Sequence, residues 1–272
     1  MLLTLSTCFY IVHSKFNPSV YIDWMTNMVS IVQRFNLVLY TDLSTFTHVG
    51  PLVKDHPNIK VIIKPMNEFH NYKYKDHWIV NHERNISLKH TSWELNMIWA
   101  EKTSFVKETM EQKYFHTEFY GWCDIGYFRN RCNDTHTSKL INVWPNEGVL
   151  NSLDKTKVHY GCVNNDEQYL RQLANQVQDR NEFNLPKQPI SPSQISVAGG
   201  FFIVHATMVQ WWFCMFDETL RNYFTHEYLV KDDQTIIVDC AFTHPNKFNL
   251  LHESSAFDNW FMFQRILYGS NV

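Results

Sequence analysis

The stretch "FYGWCDIGYFR", residues 119–129, runs from aromatic and apolar positions into a single acid, Asp124, and then to Gly126. A short continuous apolar run of this kind reads as a strand buried on both faces, the habit of parallel sheets covered by helices. In such sheets ligands sit beyond the carboxyl ends of the strands, so this run delivers Asp124 to the edge where a ligand would be met. Before a glycine, Asp also has the plainer reading of a turn former. Flanked by Trp122, Cys123, Tyr127 and Phe128, however, its carboxylate would be partly desolvated, which is costly without a cation or donors. A divalent metal or Arg129 would meet that need.

Working outward, the pattern alternates strands and helices. Residues 2–12 form a β-rich run, and 21–35 place Ile22, Met25, Met28, Val29 and Val32 at helical spacing. "NLVLYTD" (36–42) and "IKVIIKP" (59–65) are short apolar runs, each a strand candidate. Thr91 to about Met110 predicts the clearest helix, with Thr91 and Glu94 spaced as a capping box and Leu95, Ile98, Trp99, Phe105 and Val106 on one stripe. Downstream, 164–180 reads as a polar helix, 185–193 as a three-proline loop, and 195–206 as a strand interrupted by Gly199 and Gly200. An aromatic helix, a short helix stopped before Pro245 and a docked helix from Asp258 complete the chain. The order predicts an α/β fold with a mostly parallel central sheet flanked by helices.

The 272 residues, 44% hydrophobic and 19% charged, suffice for one large domain. A formal net charge of −3 with well-mixed signs leaves no basic footprint for nucleic acid or an anionic membrane. Six cysteines form no CxxC pair, which speaks for free thiols in a cytoplasmic protein rather than a zinc site. The N-terminus lacks a basic leader region and is broken by Thr4, Ser6 and Thr7, so it reads as the first strand. No run of 18 apolar residues is long enough to span a membrane, and the sequons at Asn85 and Asn133 matter only in a secreted chain.

Four groups of residues could carry chemistry. Lys102 falls on the apolar helical stripe, where its ammonium either snorkels to the edge or finds an anion such as a phosphate. At an effective dielectric of about 20, a unit charge pair 4 Å apart is worth about 4 kcal/mol, enough to hold a phosphorylated ligand. Asp232 and Asp233 open a helix, as cap and dipole partner or as a general base whose pKa is raised by the neighbouring acid. Gly199 and Gly200 allow a backbone to approach a ligand, or mark a bulge. His244 and His252 are candidate metal ligands among fourteen histidines.

Taken in order, "TLSTCFYIV" (4–12), "LVLYTD" (37–42), "WELNMIWAEKTSFV" (93–106), "FYGWCDIGYFR", "VAGGFF" (197–202) and "DDQTI" (232–236) resemble the HtrL/YibB (WlaTC-like) group of bacteria and large DNA viruses. The resemblance runs over most of the chain. It implies a GT-A-like, Rossmann-type nucleotide-sugar fold in a single domain, with 1–130 as the nucleotide-sugar-binding half and 131–272 as the acceptor-binding and catalytic half. Thr7, Phe9 and Tyr10 would border the base with Asp42 nearby, Trp99 and Lys102 would face the diphosphate, and Gly199, Gly200 and Phe201 would border sugar and acceptor. Asp124 matches the position of a metal-binding DxD motif. Here "CDIG" supplies one acid, so His252 or His244 would complete the site for Mn²⁺ or Mg²⁺.

The implied activity is metal-assisted transfer from a nucleotide sugar to a glycan hydroxyl, with Asp233, or Asp232 in its stead, as base and inversion at C1. The implied donor is a UDP-sugar: UDP-xylose first, because related viral enzymes look like builders of xylose-containing capsid glycans, then UDP-glucose and UDP-galactose. A viral member would act in the host cytoplasm. The 185–193 loop would serve as a lid. Two rivals are a non-catalytic carbohydrate-binding or virion-associated protein on the same fold and a metal-dependent phosphohydrolase. The latter would ordinarily bring several converging acids or a GxxxxGK loop, and no such loop occurs.

Overall fold

A computed structural model describes residues 1–254 and 256–269. Among them run seven strands: β1 (Leu3–Cys8), β2 (Asn36–Thr41), β3 (Ile59–Ile63), β4 (Phe119–Cys123), β5 (Val158–Cys162), β6 (Val197–His205) and β7 (Phe248–Leu251). They form one sheet in the order β3-β2-β1-β4-β6-β5-β7. All neighbours are parallel except β6, which runs antiparallel to both β4 and β5. The sheet is therefore mostly parallel, as the apolar runs predict.

Side chains alternate across the sheet with period two. Tyr120 and Trp122 of β4 join a core with Tyr40, Phe105, Tyr160 and Trp212, beneath helices Lys102–Glu111 and Ala206–Thr225. Phe119 and Cys123 face the opposite layer, with Phe35, Phe128, Trp144 and Phe263. β1, β2, β4 and β5 are buried along their whole length, whereas the edge strand β3 is only partly covered. Buried hydroxyls tie the layers together: Thr109 of the Lys102–Glu111 helix meets Ser6 of β1 at 2.8 Å and Tyr40 of β2 at 2.9 Å.

The helix expected from Thr91 to Met110 is two helices, Trp93–Ala100 and Lys102–Glu111, interrupted at Glu101. Glu101 is fully buried and accepts the backbone N–H of His70 (2.7 Å), the backbone N–H of Asn71 (2.9 Å) and the Asn71 side-chain amide (2.8 Å). A distant segment thus claims the carboxylate and pins the interruption. The capping box is not formed, because the Thr91 hydroxyl donates to the Ser87 carbonyl (3.1 Å) and Asn96 Oδ1 (3.4 Å) instead. The sequence pattern also passes over helix Leu43–Val53, which contains Pro51, and the short strands β5 and β7.

No helix among the described residues is long and apolar enough to cross a membrane. All six cysteines are free, with Cys132 and Cys214 exposed. The sequon residue Asn85 is buried, its amide donating to the Lys231 carbonyl at 2.7 Å, so it is not presented for modification in the folded chain.

Candidate active site

The strand order reverses between β1 and β4, because the chain lays β2 and β3 on one side of β1 before returning to the other. Such a switch point leaves a crevice beyond the carboxyl ends of the two strands. Two cavities meet there. The larger, of about 560 Å³, is lined by residues from 8 to 129, among them Phe9, Tyr10, Phe16, Tyr21 and Leu95. The smaller, of about 330 Å³, is lined by Gly199, Gly200, Asp232, Asp233, Gln234 and Trp260, among others. Trp99, Lys102, Asp124, Gly126 and Arg129 line both.

At this shared wall Lys102 is fully committed. Its ammonium lies 3.0 Å from Asp124 Oδ1, 2.9 Å from Asp233 Oδ2 and 2.9 Å from the Gly199 carbonyl. The Gly199 carbonyl accepts a hydrogen bond from it, and the two carboxylates stand beside it as ion-pair partners. The Lys102 and Asp233 side chains are only 6% and 5% exposed, while Asp124 is 39% exposed and faces the cavities. Burial alone would draw the Lys102 pKa down, but the carboxylates of Asp124 and Asp233 outweigh it and hold it above the ordinary amine value. The anion that Lys102 requires is thus a pair of carboxylates.

Asp124 follows β4, where its backbone N–H bonds the Gly200 carbonyl at 2.8 Å and its carbonyl accepts the Tyr127 N–H at 2.9 Å, closing a turn. Trp122, two residues back on the same strand, donates its indole N–H to Asp124 Oδ1 at 2.6 Å. Asp233 begins helix Asp233–Thr243, with Asp232 capping it by accepting the Gln234 N–H at 3.1 Å. Burial pushes the Asp233 pKa up, Lys102 pulls it back, Asp232 and Asp124 raise it again, and the balance rests at about 7.

Two glycines are dictated by contact. A Cβ on Gly199 would lie 2.8 Å from Asp233 Oδ2, and one on Gly126 would lie 2.7 Å from Trp24 Cε3. The register of β5 against β6 also shifts here, between Tyr160 and Gly161, as the bulge reading of the glycine pair expects. Gly199→Ala is expected to destabilise the fold by about 1 to 3 kcal/mol, the usual range for overpacking, because Asp233 is held by its ion pair and cannot retreat freely. Urea denaturation checks this, and a loss below about 0.5 kcal/mol would mean that the carboxylate yields.

Arg129, which lines both cavities, is a residue that the sequence offers only as a partner for Asp124. Its guanidinium stacks 4.2 Å from the Trp24 ring centroid and 4.9 Å from that of Phe261, and Nε donates to the Gly126 carbonyl at 2.7 Å. Among the described residues no carboxylate pairs with it within 4.0 Å, whereas nearby Arg131 is engaged by Asp134 (3.1 Å) and Asp258 (2.9 Å). Burial first, and then Arg131, lower the Arg129 pKa. Gln234, inside "DDQTI", and Trp260 are further lining residues that the sequence reading does not single out.

Several expected site residues lie elsewhere. Asp42 caps helix Leu43–Val53, accepting the Thr45 N–H at 2.6 Å, and lines neither cavity. Thr7 is fully buried within β1, and Phe201 packs in the core against Tyr127 and Phe263. The 185–193 loop is pinned rather than poised as a lid. Gln176 holds the carbonyls of Gln188 (3.3 Å) and Pro189 (3.0 Å), Tyr228 holds that of Pro186 (3.0 Å), and none of the loop lines either of the two cavities.

The expected metal set is not assembled. His244 ends helix Asp233–Thr243 beside Trp211, His252 is exposed after β7, and neither lines either of the two cavities. Among the described residues no group of three or more His, Cys, Asp or Glu side chains is placed to hold a metal ion. The point between Asp124 and Asp233 belongs to the Lys102 ammonium. These residues do not fit a protein-built metal centre.

No curated protein matches the chain. Among solved structures, mouse xyloside xylosyltransferase 1 in its apo form aligns with a TM-score of 0.53 at 10% identity, covering 92% of this chain and 85% of that one. The 4-diphosphocytidyl-2C-methyl-D-erythritol synthase of Anaerococcus prevotii aligns with a TM-score of 0.43 at 9% identity, covering 97% and 96%. The first likeness establishes a shared fold, and the second carries no further weight. A family described as bacterial proteins of unknown function, HtrL_YibB, matches residues 15–267. That span takes in the smaller cavity and all three members of the Asp124, Lys102 and Asp233 cluster, and the chain belongs to the HtrL_YibB family.

Proposed function

We propose that the protein is a glycosyltransferase that draws its sugar from a nucleotide sugar. The observation that carries this reading is the joined pair of cavities at the strand switch point, one aromatic and one lined by carboxylates, meeting at Lys102, Asp124 and Arg129. The aromatic cavity suits a nucleoside, with rings such as Phe9, Tyr10 and Tyr21 offering apolar faces. Arg129 suits the diphosphate, since a guanidinium with no acidic partner binds phosphate oxygens in a fork. The sugar then reaches the smaller cavity, beside Gly199 and Asp233.

In the transfer, the acceptor hydroxyl oxygen bonds to C1 as the bond from C1 to the phosphate oxygen breaks. The electron pair leaves with the nucleoside diphosphate, and the hydroxyl proton passes to the Asp233 carboxylate. Attack opposite the leaving group inverts C1. Asp232 is the alternative base, although its carboxylate already caps the helix. No step is assigned to a metal, because the residues present do not form a site for one.

The donor class is a UDP-sugar, tested first as UDP-xylose, UDP-glucose and UDP-galactose. The test is a thermal-shift panel of nucleotide sugars, followed by release of nucleoside diphosphate in the presence of oligosaccharide acceptors. Stabilisation by one donor and acceptor-dependent release are expected. If no nucleotide sugar raises the melting temperature and none is turned over, the reading fails. Arg129→Ala is expected to weaken UDP about 10- to 100-fold, the worth of a charge-assisted hydrogen bond or two. Unchanged affinity in calorimetry would move the diphosphate elsewhere.

A further inference from the structure

Three oxygens converge on one point in this site: Asp124 Oδ1 and Asp233 Oδ2, at 3.0 and 2.9 Å from Lys102 Nζ, and the Gly199 carbonyl oxygen at 2.9 Å. An all-oxygen set with two carboxylates is the donor chemistry that hard divalent ions select. Such an ion takes its ligands at about 2.1 Å, so it cannot share that point with an ammonium. We propose that Lys102 is the resident cation of this site, occupying the position between Asp124 and Asp233 that a divalent ion would otherwise hold and freeing nucleotide binding from any need for one.

Lys102 is built for this post. It is the first residue of its helix, directly after the interruption that buried Glu101 pins to the backbone of His70 and Asn71. With its side chain 6% exposed and its ammonium 2.9 to 3.0 Å from two carboxylates and a carbonyl, it is already engaged with the protein's own oxygens. Two carboxylates against one ammonium leave the cluster net negative, so the phosphate charge falls to Arg129, held over Trp24 with no ion-pair partner among the described residues.

The inference about nucleotide binding rests on the glycosyltransferase reading, but the cation position can be tested without any nucleotide. Manganese binding is measured by electron paramagnetic resonance on the wild type and on Lys102→Ala, with thermal melting alongside. The wild type is expected to take up no stoichiometric Mn²⁺ and to melt at the same temperature with and without MnCl₂. Lys102→Ala is expected to bind one Mn²⁺ and be stabilised by it, and adding Asp233→Asn is expected to abolish that binding. In calorimetry, wild-type affinity for UDP is expected to agree within about twofold between EDTA and MnCl₂.

Uptake of one Mn²⁺ by the wild type, a UDP affinity about tenfold weaker in EDTA, or a folded Lys102→Ala that binds no Mn²⁺ would each overturn the proposal. Should Lys102→Ala not fold, the wild-type comparison of EDTA with MnCl₂ decides. If UDP binds under neither condition, the glycosyltransferase reading fails, and the Mn²⁺ measurements on the two proteins decide the role of Lys102 alone.

Discussion

Asp233→Asn is expected to lower the transfer rate about 10²- to 10⁴-fold, the span associated with removing a general base, while UDP affinity stays within a few-fold. Asparagine keeps the shape and can still face Lys102, but it cannot take the acceptor proton. The pH profile offers an independent check. Burial raises the Asp233 pKa, Lys102 lowers it, Asp232 and Asp124 raise it, and it settles at about 7. A base works ionised, so wild-type kcat/KM is expected to rise with pH through about 7 and level off above it, and the Asn variant is expected to lack that limb. Proton NMR of the product is expected to show inversion at C1. Retention, or an Asn variant with wild-type turnover, would remove Asp233 from the role of base.

Replacing Lys102 with methionine should cost the fold about 3 kcal/mol in buffer free of divalent ions, the lower end of what breaking a buried ion pair costs. The lower end applies because Asp124 is 39% exposed and partly screened by solvent, whereas Asp233 at 5% has no such relief. Without the ammonium, two carboxylates would face each other with only Asp124 in reach of solvent. Protonating one of them relieves the repulsion, so the loss measured by urea unfolding should be smaller at pH 5 than at pH 8. A penalty below about 1 kcal/mol at pH 8 would show that the pair is solvated and that Lys102 is not its essential counter-ion.

Much of the sheet is legible in the order of the residues alone. β1, β2, β3, β4 and β6 are apolar runs long enough to stand out, and Asp124 is recognisable as the acid at the end of one of them. β5 and β7 are not, because "VHYGC" and "FNLL" are short and flanked by polar residues. Nor is the reversed direction of β6, since a strand's direction depends on the path of the connection before it. Helix Trp93–Ala100 ends where it does because Glu101 meets residues 70 and 71, some thirty positions away in the chain.

The site divides along the same line. Local pattern is enough to say that Lys102, an ammonium on an apolar stripe, either snorkels or finds an anion, that Asp124 either forms a turn or calls for compensation, and that Asp233 begins a helix. It cannot say that each answers the others, because the three are far apart in sequence and meet only when β4, β6 and two helices converge. It likewise assigns His244 and His252 to a metal and Asp42 to the nucleotide from residue type and resemblance, whereas folding sends these side chains elsewhere. Hydrophobic period is a property of residues adjacent in the chain, and it determines the α/β sheet and its ligand edge. Charge compensation is a property of neighbours in space, so only the tertiary structure decides that a lysine sits between the two acids.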